Sequence, residues 1–261
     1  MRPIESGDSA GQPWTGRHFG DNAHADDDGR PPAPLLDALA RFASHDAGAA
    51  VVVEALRASR LLIPLVARPG APDRGEREIG SDWSQVLSIV AVAGPDGRTV
   101  LPVFTSVDTM RAWNALARPV PASAQRVALA AVSEGIELVV IDPASDTEFA
   151  LRRPVVWAIA QSKTWISPSD DSQVAHAFES SVGHESRVLG VHLFAGDPDA
   201  RLRGPELIIR VRLVPGLKRP ELDALTARLR HDWSRNTVIA HRVDSLRIEA
   251  IADTGPEPRA R

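Results

Sequence analysis

With 261 residues, 43% of them apolar, and a mean hydropathy of -0.13, the chain can bury the core of one large or two modest domains. Zero cysteines exclude disulfides, zinc–thiolate sites, iron–sulfur clusters and thiol catalysis, and agree with a reducing cytoplasm. A net charge of -4, from 30 basic and 34 acidic residues, gives no general attraction to nucleic acid or to anionic lipid.

No apolar run reaches the ~18 residues of a membrane span, and "MRPIESGDSAGQPW" lacks the basic start and apolar stretch of a secretory signal. All but two of the basic residues are arginine, the exceptions being Lys163 and Lys218, and tyrosine is absent. This composition fits a GC-rich bacterial genome, so an arginine cluster says less about phosphate binding than usual.

Residues 1–34 hold five Gly, five Pro and six acidic against three basic side chains, a composition that cannot offset its ordering entropy and predicts a disordered tail. His18, Asp21, His24 and the run Asp26–Asp28 within it offer metal-ligating atoms without a scaffold to hold them, so no metal site is assigned. From Leu35 the apolar residues Leu35, Leu36, Leu39 and Phe42 predict a helix, and "AGAAVVVEALRAS" a second one after Gly48. "RLLIPLVAR" (60–68) reads as a strand. "SQVLSIVAVA" (84–93) and "TVLPVFT" (99–105) form a hairpin across "GPDGR".

The following helix starts at Ser106 and is expected to carry Met110, Trp113 and Leu116 on one face. Ser106 caps it, and Asp108 complements its dipole. A helix 123–135 ending at Gly135 precedes the buried strand "IELVVIDP" (136–143), an edge strand "TEFALRR" (147–153) and a short helix 154–161.

"LPVFTS", "RAW" and "ALAAVSEGIELVVIDPASDTEFALRR" together resemble the N-terminal domain of the SseB family, the enhanced-serine-sensitivity proteins of bacteria, over roughly residues 35–160. The resemblance implies a fold, a mixed sheet with flanking helices. It carries over no catalytic residue and no cofactor. The C-terminal unit resembles the second domain of longer SseB-like proteins in pattern.

That unit reads as helix 170–182, strand 187–195, strand 206–214, helix 219–233 and strand 237–251, an α-β-β-α-β sandwich. The expected organisation is therefore α+β: a tail 1–34, an SseB-like domain 35–162, a smaller domain 163–252 and a tail 253–261.

Two sets of candidate site residues follow. Ser106 at a strand-to-helix junction and Asp142 at the C-terminal end of a strand could line a small-ligand pocket. A cap and an Asp-Pro turn explain the same two residues without a ligand. In "ELIIRVRLV" alternation places Arg210 and Arg212 opposite Leu207, Ile209, Val211 and Leu213. Arg247 takes the same face in the last strand, and His192 and Phe194 do so in 187–195, opposite Leu189, Val191 and Leu193.

Residues 201–250 carry eleven basic and six acidic side chains, so this helix-free face is locally basic. Single-stranded RNA platforms use two or three aromatics, and Phe194 is one. His176, His184 and His192, spaced by eight, fall on different element types and form no ligand set. The sequence thus points to a non-enzymatic cytoplasmic adaptor or accessory protein with protein partners. The alternatives are a nucleic-acid-binding factor using the arginine face and a small-ligand sensor at Ser106 and Asp142, for which the resemblance to serine-sensitivity proteins implies an amino acid.

Overall fold

The computed structural model describes residues 27–66 and 90–253. Expectations for 1–26, for the 84–89 part of the hairpin and for 254–261 lie outside them. The fold is α+β, and its two largest hydrophobic cores belong one to each of two units.

In the first unit α1 (Ala33–Ala43), α2 (Ala49–Arg57), α4 (Ala124–Ser133) and α5 (Arg153–Ala160) cover one face of a four-stranded sheet. Its order is β2 (Val92–Ala93), β3 (Thr99–Val103), β5 (Leu138–Ile141), β6 (Phe149–Leu151), with β3 and β5 parallel and the outer pairs antiparallel. Both faces are apolar because both are covered. Leu101, Val103, Val139, Ile141, Phe149 and Leu151 meet the helices, and Val100, Leu138, Val140 and Ala150 pack with Leu202 from the second unit.

A separate ribbon pairs β1 (Arg60–Leu65) with β4 (Arg118–Ser123). Sequence reasoning missed β4, whose Pro119 and Pro121 argue against a central strand but are tolerated in a two-stranded ribbon. The helix from Ser106, α3, spans only Val107–Trp113. Asn114 ends it in an extended conformation, and Leu116, expected on its apolar face, is 83% exposed.

The start of the second unit is α6 (Ser172–Val182), then β7 (Val188–Ala195), β8 (Leu207–Leu213), α7 (Arg219–Arg235), α8 (Thr237–Arg242) and β9 (Leu246–Ala252). Its sheet runs β7-β8-β9, antiparallel then parallel, with all three helices on one face. The Phe178 and Trp233 rings meet edge-on at 4.9 Å, and the Trp233 indole N–H donates to Ser181 Oγ at 2.7 Å.

Two expectations need correction. Residues 237–242 are helical rather than the start of a strand, because the Asn236 side chain accepts the N–H groups of Val238 (3.0 Å) and Ile239 (3.2 Å). The order is therefore α-β-β-α-α-β. A bulge between Val188 and Gly190 shifts the β7 register, so Val188 joins Val191 and Leu193 on the core side and Leu189 is left exposed.

Residues 27–34, assigned by composition to a disordered tail, are anchored where they are described. Arg60 makes an ion pair with Asp27 and donates to the Arg30 carbonyl at 2.6 Å, and Val107 N–H donates to the Gly29 carbonyl at 3.0 Å. Among the described residues no helix is long and apolar enough to cross a membrane.

Candidate functional site

Ser106 and Asp142 do come together, through Thr109. Ser106 Oγ accepts Thr109 N–H at 3.1 Å as the cap of α3, and Thr109 Oγ1 donates to Asp142 at 2.8 Å. Asp142 also accepts Thr105 N–H (2.8 Å), Thr105 Oγ1 (2.6 Å) and Thr147 Oγ1 (2.8 Å), and it is 0% exposed.

The C-terminal ends of the parallel strands β3 and β5, where α/β sheets commonly receive ligands, are thus closed by the chain's own side chains. The pair forms a structural clasp. Ser106→Ala should cost ~1 kcal/mol in chemical denaturation, and an unchanged midpoint would refute the capping role.

Along the helix-free face of the second sheet the five predicted residues do share a surface. His192 lies opposite Arg210 and Phe194 opposite Ile208, while Ile208 and Arg210 lie opposite Arg247 and Glu249. The face is less basic than its arginine count suggested. Arg210 (3.4 Å) and Arg247 (3.2 Å) pair with Glu249, Arg212 pairs with Asp253 at 2.7 Å, and the Arg210 guanidinium stacks 4.4 Å from the centre of the Phe194 ring. Two carboxylates therefore face three arginines. The exposed apolar side chains Phe194, Leu189 and Ile251 belong to the outer strands of the same sheet.

The densest electrostatics lie at the junction of the two units, and sequence reasoning did not find them. Arg152, 5% exposed at the end of β6, donates to Asp197 (2.7 Å), Asp244 (3.2 Å), Ser245 Oγ (3.1 Å) and the Gly204 carbonyl (2.8 Å). Arg98, in the β2–β3 turn, makes a two-pronged contact with Asp244 at 3.0 and 2.9 Å and also holds Asp96. Arg153 donates to the carbonyls of Ala240 and Val243, both at 2.8 Å. Every one of these acceptors except Asp96 belongs to the second unit.

Two carboxyl groups there are driven in opposite directions. Burial pushes the Asp244 carboxyl up, but hydrogen bonds and charge from Arg98 and Arg152 outweigh it and hold the group below its ordinary value. Glu206 is pushed up to about 7, chiefly by burial, with Asp244 adding repulsion while the Asp244 N–H and Arg152 and Arg153 partly offset it.

Between about 4.5 and about 7 the folded chain keeps a Glu206 proton that the unfolded chain has released. The Glu206 contribution to stability therefore falls as pH rises through that window.

The loop that delivers Asp197 depends on glycine. A Cβ at Gly196 would lie 2.3 Å from the Pro205 carbonyl oxygen, and one at Gly204 would lie 2.3 Å from that of Gly196. Asp197 in turn accepts Leu202 N–H at 2.8 Å, and Ala150 N–H of the edge strand donates to the Ala200 carbonyl at 2.7 Å. The loop thus extends the edge of the first sheet while Leu202 plugs its outer face. The sequence signal was the charged residue directly after the apolar run "FAL", easily read as a strand simply reaching solvent.

Among the described residues no group of three or more histidine, aspartate or glutamate side chains is placed to hold a metal. No curated protein and no solved structure matches the chain at a significant level. Residues 35–158, which comprise the clasp, the first sheet and its helices, match the SseB protein N-terminal domain. The first unit of the chain belongs to the SseB family.

Proposed function

We propose that the chain is a non-enzymatic adaptor or accessory protein of the cytoplasm that works through protein–protein contacts. The observation that carries this reading is the open face of the β7-β8-β9 sheet, where exposed Phe194, Leu189 and Ile251 accompany arginines already paired with Glu249 and Asp253. A phosphate backbone needs cations free to replace its counterions. Aromatic and arginine side chains interleaved with carboxylates instead suit a protein interface.

The test is capture of partners from the native host with and without nuclease, comparing wild type with a variant carrying Arg210→Ala, Arg212→Ala, Arg247→Ala and Phe194→Ala. Alanine is preferred to glutamate because Glu249 and Asp253 already crowd this face with negative charge. The four changes remove exposed pairs worth ~0–1 kcal/mol each, so the variant should stay folded. A partner retained after nuclease and lost in the variant supports the adaptor. Micromolar, salt-sensitive binding of single-stranded RNA or DNA by the wild type, lost in the variant, would establish the nucleic-acid reading in its place.

A further inference from the structure

A cavity of about 320 Å³ lies between the two units, the size of the smaller ligand sites in proteins. Phe42 of α1, Val53 of α2 and Phe149 of β6 line it from the first unit, Trp165 from the connecting segment, and Ala195 and Glu206 from the second. The Phe42 and Phe149 rings meet edge-on at 5.0 Å and form one aromatic wall.

Arg152 and Asp197 also reach the cavity, but they are buried and bound to each other at 2.7 Å, and the other three terminal N–H groups of Arg152 go to Asp244, Ser245 and Gly204. An anionic ligand would have to break that network.

Glu206 differs. Its Oε2 accepts Asp244 N–H at 2.5 Å, while its Oε1 accepts no hydrogen bond from the described residues and stays open to solvent. The cavity therefore presents one carboxyl oxygen without a donor, beside aromatic rings whose faces attract cations. We infer that it binds a small organic cation, a primary amine on an apolar or aromatic body, with the ammonium group on Glu206 and the body against Phe42, Phe149 and Trp165. This site is separate from the open sheet face, and its test does not depend on any protein partner.

Proton linkage gives the site a signature. Glu206 faces Asp244, Arg152 and Arg153, and His45, Asp170 and Asp197 line the same cavity. With its carboxyl pushed up to about 7, Glu206 is mostly protonated at slightly acid pH, so an amine must displace that proton. Affinity should rise about tenfold between about pH 6 and about pH 8.

Isothermal titration calorimetry of the full chain with phenethylamine, 2-phenylethanol and phenylacetate tests this. The amine is expected to bind at least about tenfold tighter than the alcohol or the acid at the higher pH, and to show the pH dependence. Glu206→Gln, which keeps an acceptor for Asp244 N–H, should abolish both the preference and the pH dependence. If that variant fails to fold, Glu206→Asp, which withdraws the carboxyl by one methylene, should weaken the amine by about the same factor. No amine binding at millimolar concentration, equal binding of amine and alcohol, preference for the acid, or wild-type affinity in the Glu206 variant would each overturn the proposal.

Discussion

Replacing Arg152 by methionine is expected to lower the stability of the chain by about 3–5 kcal/mol, the cost of breaking a buried ion pair from one side. Asp197 and Asp244, 4% and 1% exposed, would be left without the cation between them. Arg98 still holds Asp244 from the partly exposed side, but among the described residues no other cation reaches Asp197, whose other bonds come from backbone N–H groups of its own loop.

The loss should appear as a melting temperature lower by roughly 10 °C. It should be partly relieved in the double variant Arg152→Met with Asp197→Asn, because the second change removes the stranded charge. Strict additivity of the two single changes would show that the pair is not the unit that matters.

The same substitution tests how the two units are joined. Arg152 fastens the 196–205 loop through Asp197 and the Gly204 carbonyl, and that loop carries Leu202 onto the outer face of the first sheet. Asp244, held below its ordinary value, contributes stability that is present above the usual carboxylate range and lost as pH falls through it. Removing Arg152 should therefore flatten the acid side of the stability profile as well as lowering it. A profile displaced downward without a change in slope would mean that Arg98 alone sets the Asp244 titration.

These contacts explain why so much of the fold, and so little of the junction, was legible in the sequence. Periodicity reports a residue's own element, so the inward row of β8, Leu207, Ile209, Val211 and Leu213, could be read directly and is buried in that order. Capping is equally local, and Ser106 in "FTSVD" shows it.

Arg152, Asp197 and Asp244 are separated by tens of residues, and their burial follows from how two units meet, which no local pattern encodes. The charge pairing on the arginine face was hidden for a related reason. Alternation placed Arg210, Arg212 and Arg247 on the right side of the sheet, yet the carboxylates that neutralise them arrive through register: Glu249 stands opposite Arg210 in the parallel β8–β9 pair. The strand expected at 237–251 begins only at Leu246 for a local reason, since Asn236 is a strong helix cap and outweighs the strand propensity of the β-branched residues behind it.

Asp142→Ala is the second substitution expected to be severe, at about 3–5 kcal/mol, and the reasoning concerns donors rather than charge. Fully buried itself, Asp142 holds four donors: one backbone N–H and three threonine hydroxyls, of which those of Thr109 and Thr147 are half-buried. A buried donor left unsatisfied costs ~1–3 kcal/mol. The four are not equal.

Thr109 Oγ1 can fall back on the Ser106 carbonyl at 3.0 Å, and Thr147 Oγ1 on Ser145 Oγ at 3.0 Å. Thr105 N–H and Thr105 Oγ1 have no such alternative among the described residues, so most of the loss falls there. Backbone strain adds to it. Asp142 sits at φ 46, a left-handed conformation that aspartate and asparagine tolerate and alanine resists by ~1–2 kcal/mol.

Asp142→Asn separates the two causes. It keeps the tolerance for this backbone and one acceptor oxygen, but turns the other oxygen into a donor facing donors. It should fall between wild type and alanine. Thr109→Val and Thr147→Val, whose partners have other recourse, should each cost less than either change at Asp142. Urea denaturation of the four variants orders them. If Asp142→Ala unfolds within about 1 kcal/mol of wild type, the clasp is not what holds β3, α3 and the turn after β5 together.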